Sequence, residues 1–75
     1  MVYLYLMNIF KLKRVEMNLS IADVVYDIKY PISVIEAIEK NDQDFLPKPY
    51  SYYCVKTYGQ YLKISNLNNI LKGYK

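Results

Sequence analysis

The chain has 75 residues, 53% of them apolar and 23% charged, with a formal net charge of +3. That length leaves room for one small domain without a second core, so most enzyme architectures are excluded at once. A single cysteine, Cys54, rules out an internal disulfide, and the absence of histidine removes the usual zinc ligand sets and the usual general base.

The longest apolar stretch, MVYLYLMNIF over residues 1–10, is too short to span a bilayer, and its basic residues follow it rather than precede it as in a signal peptide. Residues 1–18 therefore read as part of the fold, with a membrane-surface helix as the alternative. Leu4, Leu6/Met7, Phe10 and Arg14/Val15 recur at helical spacing, which predicts a first helix over 3–16, closed by Asn18. Ser20 followed by Asp23 has the form of an N-cap with an acid at the third helical position, and it opens a second helix. Ile21, Val24, Val25 and Ile28 share its apolar face and leave Asp23, Asp27 and Lys29 to solvent.

Pro31 suits the start of a helix and pushes Tyr30 out of the helical region, so a third helix is expected over 32–40 after a three-residue turn. Ile32, Ile35 and Ile38 would face inward, with Ser33, Glu36, Glu39 and Lys40 outward. The stretch KNDQDFLPKP over 40–49 is a connection marked by Asn41-Asp42 and two prolines, with Phe45 and Leu46 pinning it to the core. A fourth helix is expected over 50–62, and a last one over 66–71, capped by Ser65 and ended by Gly73. Two helices joined by a tight turn at about 20–40 fit the helix-turn-helix pattern, although a generic five-helix bundle has similar signals.

Charge is segregated along the chain: residues 1–19 are net +2, residues 20–45 hold six acids against two lysines, and residues 46–75 hold five lysines and no acid. Ten tyrosines are a second bias, explained in part by the AU-rich codons that a low-GC genome favours. On the fourth helix, Tyr52, Val55, Gly59 and Leu62 at core-facing spacing would place Tyr50, Tyr53/Cys54, Thr57 and Tyr61 on the other side. Lys48, Lys56 and Lys63 flank them. Tyrosine is enriched in interface cores and loses few rotamers on docking, so this surface suits a protein partner. Cys54 reads as a small packing or interface residue. The carboxylates of Asp42 and Asp44 lack an ordered ligand set, no phosphate-binding glycine loop exists, and neither a cofactor nor a metal is expected.

The residues LSIADVVYDIKYPISVIEAIEKNDQDFLP, followed by a Tyr-rich helix and VKTYGQYLKI, resemble the N-terminal cytoplasmic domains of the RodZ family of bacterial cell-shape proteins, within the Cro/repressor-like helix-turn-helix class. The similarity runs from about Phe10 to Tyr74 and is densest in IEAIEKNDQDFLP. It implies an all-α, compact five-helix repressor-like domain over 1–75. It further implies a cytoplasmic location, at the inner face of the membrane in family members that continue into a transmembrane helix. The implied partner is the actin-like protein MreB, and the implied role is adaptor rather than enzyme.

In that family an aromatic pair one turn apart near the start of helix 4 belongs to the contact surface. Tyr50 matches its first member, Cys54 departs from the second, and the adjacent Tyr53 is a substitute. The expected partner-binding set is therefore Lys48, Tyr50, Tyr53, Cys54, Thr57 and Tyr61. The resemblance also suggests that Tyr58 packs inward. The alternative is a small DNA-binding regulator of the same fold, contacting DNA through Lys29, Ser33 and Lys40. The acids Glu36, Glu39, Asp42 and Asp44 on and after helix 3 argue against it, because acids near phosphate repel where lysines would release counterions.

Overall fold

The structure, a computed structural model, describes residues 8–42 and 45–74. Among the described residues five α-helices follow one another: α1 (Ile9–Glu16), α2 (Ile21–Ile28), α3 (Ile32–Glu39), α4 (Tyr50–Tyr61) and α5 (Leu67–Leu71), with a 3-10 turn over Lys72–Tyr74. The described residues contain no strand, as the helical periodicities require.

Local chemistry sets most boundaries. Asn8, extended at φ −76° and ψ 172°, caps α1 by accepting from the Lys11 amide, so α1 begins at Ile9 rather than at residue 3. Residues 3–7 of the expected first helix lie outside the described residues. Asn18 takes the left-handed conformation (φ 58°) expected of a helix stop. Ser20 and Asp23 form a complete capping box at α2, in which the Ser20 hydroxyl accepts from the Asp23 amide and the Asp23 carboxylate accepts from the Ser20 amide. Those bonds hold the Asp23 carboxyl below its ordinary range.

Lys29, at φ 64°, closes α2, and Pro31 supplies the extended residue before α3. The whole turn is Lys29-Tyr30-Pro31. Two expected boundaries move: α5 begins at Leu67 behind Asn66, with no side-chain cap from Ser65 or Asn66, and Gly73 lies inside the 3-10 turn instead of ending the helix.

Phe10, Val24, Ile35, Ile38, Val55, Tyr58, Leu62, Ile64, Leu71 and Tyr74 form one core, with Phe45 packed against its edge. The Phe10 and Tyr58 rings stack at 5.5 Å. Tyr58 is buried, as the resemblance implies. The spacing argument misplaces its neighbour: Ser51 is fully buried on the core face of α4, and Tyr52 is only half-buried. Gly59 is also buried, and a Cβ there would run into the Leu67 side chain, so this notch seats α5 against α4.

The outward reading of Glu39 is overturned. Its side chain is 6% exposed and takes both guanidinium contacts from Arg14, Nε to Oε2 at 2.7 Å and Nη2 to Oε1 at 3.2 Å, while the Tyr58 hydroxyl donates to Oε2 at 2.6 Å. Arg14 also donates to the Leu19 carbonyl at 2.8 Å, so it is buried and Val15, its alternative on the apolar face, is exposed. Charge pairing overrides hydrophobic ranking here, because a buried guanidinium and carboxylate satisfy one another where each alone could not be desolvated. The pairing with Glu39 holds the Arg14 pKa above its usual value; burial first, then the contact with Glu39, pushes the Tyr58 phenol strongly upward.

Glu39→Ala should destabilise the fold by about 3–5 kcal/mol in urea denaturation, because it leaves the buried Arg14 charge without a counterion. The double variant Arg14→Met/Glu39→Leu should recover part of that loss, since an apolar pair of similar volume strands no charge, while the Tyr58 hydroxyl and the Leu19 carbonyl still lose their partners. An alkaline prediction follows from the tyrosines. The hydrogen bond that Tyr61 donates to Asp27 pushes its phenol up to about 12. A raised folded pKa means the stabilisation is fully present below the unfolded value of about 10 and is lost as pH rises through the folded one. Stability should therefore hold up to about pH 10 and fall toward about pH 12, and Tyr61→Phe should flatten part of that fall.

Candidate functional site

The N-terminal end of α4 is the most open aromatic surface after the helix-turn-helix. Pro47, Lys48 and Pro49 lead into it, with a cis Lys48–Pro49 bond, and Tyr50 and Tyr53 of the first turn then project to solvent. Ser51, Val55, Tyr58 and Gly59 take the inward face. Tyr50 and Tyr53 are consequently turned outward, 64% and 54% exposed. The rings of Tyr52 and Tyr53 meet edge to face at 5.4 Å. Together with Lys48, Pro49 and Tyr74 they line a groove of about 390 Å³. Tyr74, buried in the core, contributes to the groove, a role that its place at the chain's end does not suggest.

The six expected partner-binding residues fall into two groups. Lys48, Tyr50 and Tyr53 lie together at the open end of α4. Cys54, Thr57 and Tyr61 lie on the side turned toward α2: Tyr30 donates to the Thr57 hydroxyl at 3.2 Å, and Tyr61 donates to Asp27. All three are half-buried, so the exposure expected of Thr57 and Tyr61 is not what the structure gives. The reason is the packing of α2 and the turn after it beside α4, which supplies internal partners, Asp27 from the helix and Tyr30 from the turn, to hydroxyls that periodicity alone leaves facing outward. Burial pushes the Cys54 thiol up, opposed by its hydrogen bond with Tyr30, and a thiol so shifted is a poor nucleophile at neutral pH.

The residues of the DNA alternative lie elsewhere. Ser33 and Lys40 are exposed on and after α3, and Lys29 sits in the turn with its ammonium 4.2 Å above the Tyr26 ring. Ile32 is 53% exposed at the start of α3. Lys11, Ile21, Glu36, Lys40 and Asn41 border a cleft of about 330 Å³, with the paired Glu39 also on its wall. With Glu39 neutralised by Arg14, Glu36 is the exposed acid that α3 itself presents.

Among the described residues no group of three or more cysteine, aspartate and glutamate side chains could hold a metal ion, and no helix is long and apolar enough to cross a membrane. Comparison with curated proteins and with solved structures gives no match. A family model described as a helix-turn-helix domain matches residues 9–68, from the first residue of α1 into α5. The α2–turn–α3 unit lies at the centre of that match, and the chain belongs to this helix-turn-helix domain family, which includes the N-terminal domains of RodZ.

Proposed function

We propose that this domain is a cytoplasmic adaptor that docks on an actin-like MreB filament through the open end of α4. The observation that carries the proposal is the placement of Tyr50 and Tyr53, both more than half exposed, beside the Lys48–Tyr74 groove in a stretch that holds five lysines and no acid. The mechanism is docking without chemistry. Rigid aromatic rings supply contact area at small entropic cost, and the lysines steer an acidic partner surface into register. Cys54, Thr57 and Tyr61 support the contact by holding α4 against α2 and the turn that follows it.

A second function is favoured by one observation. The pairing of Glu39 with Arg14 removes an acid from the α3 surface, which makes that helix less hostile to a phosphate backbone than its composition suggests. Lys29, Ser33 and Lys40 would then meet DNA with Glu36 as the opposing charge.

Replacing Tyr50 and Tyr53 together by Ala should weaken co-sedimentation with MreB filaments at least about tenfold, ~1.4 kcal/mol, while the helical circular dichroism stays as in the parent. Full retention of co-sedimentation would place any contact away from α4. Gel shifts separate the two functions. On the adaptor reading no duplex binds at physiological salt, whereas a band that weakens steeply with salt and strengthens in Glu36→Gln would favour DNA. Glu39 is unsuited to that test because its loss damages the core.

A further inference from the structure

We propose that the groove lined by Lys48, Pro49, Tyr52, Tyr53 and Tyr74 is the docking slot of the chain's own first residues, 1–7, which cover it within the same molecule. The groove holds about 390 Å³ between one proline and three tyrosines, with Tyr53 54% exposed and Tyr74 buried. Residues 1–7 read MVYLYLM, in which every side chain is apolar or aromatic and none is charged. A segment of that composition has surface to remove from water, and the groove is a wall of matching chemistry.

Connectivity names this segment as the occupant. Residues 1–7 lie outside the described residues, and the chain enters the described fold at Asn8, whose side-chain amide donates to the Ile38 carbonyl at 2.7 Å and to Asn41 Oδ1 at 3.1 Å. Asp42, next after Asn41, is near enough to Tyr74 for its carboxylate to add to burial in raising that phenol's pKa. Phe10, just past Asn8, stacks on Tyr58 of α4 at 5.5 Å. The entry point is thus tied through Asn41 and Asp42 to the Tyr74 wall of the groove, and through Phe10 to the helix that carries Tyr52 and Tyr53. Fully extended, seven residues reach about 23 Å, which exceeds the shortest extent of the fold, 20 Å.

One other hollow lies at the entry point, the cleft of Lys11, Ile21, Glu36, Lys40 and Asn41. Its lining is charged, and an uncharged segment laid there would strip water from lysines and a carboxylate without pairing them. The groove has a single charged side chain, Lys48, which is exposed, so its stem can lie along the segment while its ammonium stays in water. A tether this short gives an effective concentration in the mM range, so a contact of only about 0.1 mM affinity is made about nine times in ten. The segment therefore acts as a built-in cover over the Tyr53 ring. On the adaptor function proposed above it would compete with the filament, and that consequence alone rests on that function.

The test needs no filament. The chain has no tryptophan, so Leu4→Trp places a single indole in the segment. Acrylamide quenching of that indole should be at least about twofold weaker than in the same chain carrying also Tyr53→Lys, which sets a second lysine in the groove. Adding Tyr26→Lys instead, a change of the same kind on α2, should leave the quenching as it was, all three chains keeping the parent's circular dichroism. Quenching that ignores Tyr53→Lys, or answers equally to Tyr26→Lys, overturns the proposal. Dilution from about 100 µM to about 1 µM should change nothing, because a contact within one chain does not depend on concentration. Quenching that rises on dilution puts the segment on a second copy and overturns the contact within the molecule. A second measurement leaves the groove's own residues intact: Leu4→Glu/Leu6→Glu should move the amide chemical shifts of Tyr52, Tyr53 and Tyr74 and leave those of Glu36 and Lys40 in place. Movement at the charged cleft, or at neither site, also overturns it.

Discussion

The carboxylate of Glu39 is the point through which three helices are held. It sits at the end of α3, pairs with Arg14 of α1 across 25 residues of sequence, and accepts from Tyr58 of α4 across 19. Asn8 makes the same junction from the other side, donating to the Ile38 carbonyl at 2.7 Å and to Asn41 at 3.1 Å. Apolar side chains tolerate some sliding, because dispersion and hydrophobic burial are not directional. A planar guanidinium and a carboxylate do not, so the cluster fixes how α1 and α4 meet α3. In a chain this short, with no disulfide, such a directional contact complements a core of limited area.

The same contact determines what the helix-turn-helix presents. With Glu39 turned inward, the outer surface of α3 is Ile32, Ser33 and Glu36, with Lys40 just beyond it, a mixture with neither strong basic character nor strong acidity. The more distinctive surfaces lie on the flanking helices. On α4 the inward turn of Ser51 and Tyr58 leaves Tyr50 and Tyr53 outside, and on α2 the burial of Val24 leaves Tyr26 outside. Exposed aromatic rings are thus a direct result of which neighbours the core selects.

Where local chemistry sets the structure, the sequence is readable. The Ser20–Asp23 capping box, the left-handed Asn18, and Pro31 after a three-residue turn each act within a few residues, and each is found where local rules place it. Apart from the two misplaced boundaries of α5, where neither Ser65 nor Gly73 acts as local rules expect, the errors are long-range. Periodicity ranks Glu39 as outward because it scores hydrophobicity and cannot register a cation 25 residues earlier. It prefers Tyr52 to Ser51 for the core by size, whereas the packing selects the small residue and leaves Tyr52 at the edge of a groove. It frees Tyr61 and Thr57 because it does not know that α2 lies alongside with Asp27 and Tyr30 in position. Tyr50 and Tyr53 are legible as a surface because their exposure follows from their own helix, and Lys48 lies in the exposed connection just before it.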